Sequence, residues 1–238
     1  MKRKHKITLI VLAACAVIGL VVLNSLINYG MHYMASQETE NMPLPGDNLL
    51  AKDDQILVFT KEIIIDAPPA KVWPWLAQMG QKEGGFYSFE LLERVFTFDI
   101  RNTYVIKPEW QEFKAGEWMN YHQWGIGSEV MEVVKDKYFT MLSDSRRPPV
   151  NKTDAFALNA IPFGEFAWTW NFVLVELPGG KTKLIQRCHN YFSPDNFITR
   201  GYVKLFLGVP SIFMTTKQME IIKACSEGRV DTEGNVKK

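Results

Sequence analysis

Cysteine is scarce in this chain. Three residues in 238, Cys15, Cys188 and Cys225, are too few and too scattered for a disulfide framework, and whether the last two pair stays open on sequence alone. His5, His32, His122 and His189 show no paired spacing on a helix, and there is no Cys-x-x-Cys, so no metal centre and no cofactor is expected. A nucleophile elbow and a glycine-rich phosphate loop are missing as well, which removes two common enzyme signatures. Neither sign of charge dominates, at 27 basic and 26 acidic residues. Four of the basic residues precede Glu38, where the first acid stands, so the remainder is slightly acidic. A nucleic-acid reader would show the opposite balance, and no nucleic-acid partner is expected.

What the chain does have begins with "MKRKHK", a basic tail over residues 1–6, followed by an uncharged apolar run from Ile7 to Ile27. At about 1.5 Å per residue this run reaches roughly 31 Å, close to the ~30 Å hydrocarbon core of a bilayer. A cleaved secretory signal has a shorter apolar region and ends at a small-x-small site, whereas Tyr33 stands two residues before Ala35 here. "LAAC", Leu12 to Cys15, resembles a lipoprotein cleavage box, yet the apolar run continues past it. Residues 7–27 are therefore read as a retained transmembrane helix. The basic residues ahead of it put the N-terminus in the cytoplasm, giving a single-pass cell-membrane protein with its domain on the outer face.

Residues 28–54, in which "SQETENMPLPGDN" holds two prolines, a glycine and no apolar period, read as a linker, and residues 229–238 as a flexible tail. A folded domain is expected over 55–228, able to form a soluble monomer without residues 1–36. "QILVFTKEIIIDA" has the β-branched content of a strand, ended by Ala67-Pro68-Pro69. "AKVWPWLAQM" reads as a short helix burying Val72, Trp75, Leu76 and Met79, with Trp73 off that stripe. After "GQKEGG", a second helix carries Phe86, Phe89, Leu92, Val95 and Phe96 on one side. Strands follow: "GEWMNYHQ", a hairpin turning at Lys135-Asp136-Lys137, and a long hairpin turning at Pro178-Gly179-Gly180. In the long hairpin, Phe166, Trp168, Trp170, Phe172 and Leu174 alternate onto a buried face, Gln186 and Asn190 lie on the inward side of the return arm, and His189 points outward. A final amphipathic helix starts beyond Pro210, with Ile212, Thr215, Met219 and Ile222 at helical spacing.

Over residues 55–228, "IIIDAPPAKVWPWLAQMGQ", "GGFYSFELLE", "PEWQEFKAGE" and "LPGGKTKLIQR" resemble a bacterial branch of the SRPBCC, or START-like, superfamily, which includes polyketide cyclases, the birch pollen allergen and lipid-transfer domains. The resemblance implies an α+β helix-grip fold, a curved antiparallel sheet wrapped around a long C-terminal helix with an apolar cavity between them. Glu83 departs from the arginine more usual before the glycine pair, which argues against an anionic contact at that loop.

On this reading the glycine loop moves, while Trp75, Phe86 and Tyr87 shield the interior. Trp118, Tyr121, Trp168, Trp170, Phe172 and Phe213 are the candidate wall, and Gln186, Asn190 and Tyr87 orient a polar end of the ligand. The expected partner is a hydrophobic small molecule or lipid, bound without chemistry. Two alternatives stay open. One is a cyclase- or hydrolase-like enzyme, for which His122, Glu117, Glu109 and Asp99 are the acid–base candidates. The other is an envelope scaffold whose aromatics simply fill a core.

Overall fold

The computed structural model describes residues 2–95, 97–147, 149, 154–159, 161–162 and 164–237. The order of elements is α1 (Lys2–Met31), α2 (Gln37–Asn41), β1 (Leu57–Ile65), α3 (Pro69–Ala77), α4 (Glu90–Val95), β2 (Trp118–Asn120), β3 (Ile126–Val134), β4 (Tyr138–Asp144), β5 (Phe156–Ala157), β6 (Glu165–Thr169), β7 (Asn171–Leu177) and β8 (Lys181–Ser193). A continuous C-terminal helix, Phe197–Ser226, completes the chain. The architecture is α+β, with eight strands in one sheet ordered β1-β8-β6-β4-β3-β2; β7 bonds to β4 and β8, and β5 lies parallel to β3.

The strand β6–β7 breaks at Trp170, whose amide still donates to the Met141 carbonyl at 3.1 Å. This break lets one stretch of chain pair with β4 on both sides of the interruption. The β3–β4 turn places Asp136 at φ 62°, and the β7–β8 turn places Gly179 and Gly180 at φ 81° and 69°, where a side chain is disfavoured.

One face of the sheet packs on α3 and the C-terminal helix, joining Phe59, Ile63, Phe172, Leu174 and Leu184 to Val72, Leu76, Met219 and Ile222 in a single core. In α3 the buried stripe is Val72, Trp73, Leu76 and Ala77, and Trp75 is only half-buried. The expected order of the two tryptophans is thus reversed: the Trp73 ring meets Phe139 edge-on at 6.3 Å, and Trp75 turns toward Tyr87 at 6.0 Å. The second helix is shorter than its apolar spacing predicts. In α4 it is Glu93 that is buried, while Phe89, Leu91, Leu92 and Val95 are exposed; Phe96 lies outside the described residues. Burial and the neighbouring Glu90 push the Glu93 carboxyl up to about 7.

The C-terminal helix starts fourteen residues before the expected point at Ser211. Pro210 ends a helix in a sequence reading because it removes a backbone donor. Here widened π turns at Lys204–Gly208 and Ser211–Thr215 flank Pro210 and carry the helix through it.

The other sheet face is covered by the segment expected to be a linker. Leu44 packs on Val173 and Ile185, and Leu50 on Leu142 and Ala167. Arg187, projecting from β8 on this side, donates to the carbonyls of Thr39, Glu40 and Met42 and to the Asp47 carboxylate at 2.8 Å. His189, expected to point to solvent, is buried under the same strap, 3.6 Å from Asp47. Polar composition misled here, because a strap can be held through its own carbonyls without an apolar period.

The N-terminal helix is long and apolar enough to cross a membrane over His5–Met31. Its last turn touches the domain: Ile27 and Met31 are buried against Gly208, and Gly30 against Ile212. Both glycines are needed for this approach, since a Cβ on Gly208 would lie 2.4 Å from Ile27 Cγ2 and one on Gly30 2.3 Å from Ile212 Cγ1.

Candidate functional site

The loop after α3 is stitched down. Gly80 and Gly85 exchange backbone hydrogen bonds at 3.1 and 3.0 Å, and the Gly84 amide donates to the Gln78 carbonyl at 2.7 Å. The buried Gln78 side chain donates to the Tyr87 hydroxyl at 2.8 Å and accepts from the Lys107 amide at 3.2 Å. Tyr87, fully buried with φ 57°, is held by Asn102, which accepts from its amide at 2.7 Å. The glycines serve close backbone approach here, since a Cβ on Gly84 would lie 2.7 Å from the Gln78 carbonyl oxygen and one on Gly85 2.5 Å from Asn102 Oδ1. Burial raises the Tyr87 phenol well above its usual range.

Five of the candidate wall and shield residues come together around Trp170. Its ring lies 5.8 Å from Phe86, 5.7 Å from Tyr121, 5.5 Å from Trp168 and 5.1 Å from Phe172. These rings pack on one another and on Phe139, which stacks on Phe172 at 5.0 Å. Polar atoms are buried with them. Trp170 Nε1, Gln186 Oε1, Asn190 Oδ1 and Gln218 Oε1 have no hydrogen-bond partner among the described residues. Each such group carries a desolvation cost of about 1–3 kcal/mol that a bound hydrogen-bonding group would relieve.

The open space lies to one side of this cluster. A cleft of about 490 Å³ has Ala77, Met79, Phe113, Trp118 and Met119 among its lining, with Glu83, Glu109, Glu112, Glu117 and Glu129 around it and Lys82 as the cation among the described lining residues. Its volume falls in the range of small-molecule sites. Trp118 is fixed by its indole nitrogen, which donates to the Gly125 carbonyl at 3.0 Å. Met79 joins the cleft to the buried polar cluster, since its sulfur accepts from Gln218 Nε2 at 3.5 Å. Trp118 is thus the one residue of the predicted ligand-binding set that lines this cleft. Trp75 borders a shallower depression of about 340 Å³ beside Cys225, and Phe213 is 56% exposed on the outer side of its helix.

Of the acid–base candidates, Glu109 and Glu117 border the cleft, whereas Asp99 is exposed beside Arg101. His122 is buried between the rings of Phe98 and Trp124, with its Nδ1 accepting from the Trp124 amide at 3.2 Å. Cys188 and Cys225 are both buried free thiols. Met79 was read only as part of the buried helix stripe, and Phe113 and Met119 were not singled out by sequence reasoning, although the aromatic and acidic run "PEWQEFKAGEWM" carried a signal for the cleft.

Lys61 is the other residue that the sequence did not flag. It replaces an apolar side chain on the inward face of β1, opposite Gln186, and is 2% exposed. Its ammonium donates to the Ser211 carbonyl at 2.7 Å and to the Thr215 hydroxyl. Burial pushes it down from 10.5 to about 7. Between those values the unfolded chain holds a proton that the folded chain has released, so this group makes stability rise with pH from about 7 to 10.5. In Lys61→Met, the Ser211 carbonyl keeps the hydroxyls of Thr215 and Thr216 as donors, each at 3.1 Å, so no orphan is left. The variant is expected to be about 1–4 kcal/mol more stable at pH 7 and to lose that advantage at pH 10. Melting followed by tryptophan emission at both pH values checks this; equal midpoints at pH 7 would refute it.

No protein-family model matches this chain, and no curated protein sequence matches it. Several solved structures are similar. Protein MLL2253 from Mesorhizobium loti is 22% identical, with 69% of this chain and 95% of that chain covered and a TM-score of 0.36. Protein Ms6760 from Mycobacterium smegmatis is 13% identical, covering 72% and 90%, at a TM-score of 0.40. Ara h 8.0201 is 11% identical, covering 72% and 95%, at a TM-score of 0.37.

Proposed function

We infer that this chain is a membrane-anchored domain of the helix-grip, SRPBCC-like kind that binds a mostly apolar small molecule or lipid without transforming it. The anchor is residues 7–27, and the domain stands on the outer face, on the side opposite the basic tail. The observation that carries the reading is the cleft of about 490 Å³ bordered by Met79, Phe113, Trp118 and Met119, with Gln218, whose Oε1 has no partner among the described residues, reaching it through Met79. Glu112 is paired with Lys114, and Glu109, Glu117 and Glu129 still outnumber Lys82, so the polar end of the ligand is neutral or cationic. This agrees with the glutamate at position 83.

The test uses the full chain in lipid nanodiscs, with empty nanodiscs as control. An environment-sensitive apolar dye should saturate at one per chain, and Trp118→Ala should weaken it by tenfold or more, which corresponds to about 1.4 kcal/mol. At low salt, 4-phenylbutylamine should displace the dye at severalfold lower concentration than 4-phenylbutyrate, the amine being drawn by the carboxylates. Equal displacement would remove the charge preference. An unchanged titration in Trp118→Ala would remove the cleft.

A further inference from the structure

The first half of the C-terminal helix presents an apolar face to its surroundings. Phe197 is 84% exposed, and Ile198, Tyr202, Leu205, Phe206 and Phe213 are also exposed. Ile198, Tyr202, Leu205 and Phe206 fall at i, i+4, i+7 and i+8, and the rings of Tyr202 and Phe206 stack at 6.2 Å. A contiguous patch of this size on a folded domain marks an interaction surface.

The position of the anchor helix selects its occupant. Along α1, Ile27 meets Gly208, Gly30 meets Ile212, and Tyr33 donates to Glu220 at 3.1 Å. Contacts that ascend together mean that the two helices run in the same direction. Residues 7–26 of α1, which lead into the apolar phase, therefore lie on the same side of the domain as residues 197–206. Tyr29 and Tyr33 pair edge-on at 6.2 Å where α1 leaves the apolar run, a placement typical of the membrane interface. Arg200, held by Asp195 at 2.6 Å, and Lys204 flank the apolar face with groups that suit lipid phosphates.

We propose that Phe197, Ile198, Tyr202, Leu205 and Phe206 insert into the interface of the same bilayer that α1 enters, fixing the domain flush against the outer leaflet. This rests on the reading of α1 as a membrane span, so the experiment reports on both. The full chain carrying Cys15→Ser is reconstituted in phosphatidylcholine–phosphatidylglycerol vesicles and spin-labelled at one introduced cysteine. Cys188 and Cys225 are buried, and burial pushes their thiols up to about 12, so they do not compete for the label. Accessibility to oxygen, which partitions into lipid, is compared with accessibility to a water-soluble nickel chelate. Ile18→Cys serves as the lipid control and the exposed Glu176→Cys as the water control.

Labels at Ile198→Cys and Phe206→Cys are expected to favour oxygen over nickel, as at position 18. If position 18 reports lipid while 198 and 206 report water, the insertion is overturned and the span stands. If 198 and 206 are shielded from both reagents, a protein covers the face and the insertion is again overturned. Water at position 18 would overturn the span and, with it, this proposal.

Discussion

A chain that begins at residue 37 melts on the order of 10 °C below one that begins at Asn24, although both lack most of the apolar run. The difference is Ile27 and Met31, which are 5% and 2% exposed against the C-terminal helix. Burying such side chains stabilises by about 1.5–3 kcal/mol each, so about 3–6 kcal/mol is lost with them, and a domain of this size shifts by about 2–4 °C per kcal/mol. The shorter chain also loses the Tyr33 carbonyl that accepts from the Glu62 amide at 3.1 Å. A domain from residue 37 is still expected to fold, at this cost, because the last turn of the N-terminal helix packs into the core. Melting of the two chains in the same detergent checks this. Coincident midpoints would show that the contact at Gly208 and Ile212 contributes nothing.

Arg187→Met is expected to cost about 3–5 kcal/mol, the range for breaking a buried ion pair by removing one partner. The guanidinium side chain is 4% exposed and holds the Asp47 carboxylate together with three strap carbonyls; its Nε also donates to the Thr60 hydroxyl at 3.2 Å. Without it the three carbonyls lose this donor and the Asp47 carboxylate keeps only the Leu44 amide at 2.8 Å with its charge unpaired by arginine, or the strap lifts to reach water. Both outcomes open the segment over residues 37–47. A glutamate-specific protease should then cut at Glu38 and Glu40 in Arg187→Met well before it cuts the parent chain. Arg187→Lys is expected to fall between the two, since an ammonium keeps the charge but cannot span the same fork of acceptors. Equal cutting rates in all three chains would mean that the strap is held by Leu44 and Leu50 alone.

The strands were legible because alternation in β6, β7 and β8 has a period of two that survives without knowledge of neighbours, and their turns carry glycines or charges that only a turn accommodates. The two helices around the glycine loop were legible in kind but not in facing. Six residues of α4 make too little of a helical period to say which side is inward, and Glu93 occupies the side that apolar spacing would have filled. Of the candidate site, Trp168, Trp170 and Phe172 were readable from the inward alternation of the long hairpin, whereas Phe86 and Tyr121 join their cluster from other stretches of the chain. The cleft was legible only in part, since Phe113 and Trp118 share the run "PEWQEFKAGEWM" whereas Met79 comes from a distant stretch that only folding brings to them.

The amino-acid sequence by itself determined the apolar N-terminal helix, the strand-rich middle and the presence of a C-terminal helix, because each rests on local period or length. Tertiary structure decided three things. It made the polar segment after the N-terminal helix a strap, since Arg187 meets its carbonyls only across the sheet. It carried the C-terminal helix through Pro210, since widened turns packed against α1 tolerate the missing donor. And it packed the aromatic residues into a core with the open cleft beside them, since ring packing depends on distances between strands that no local pattern encodes.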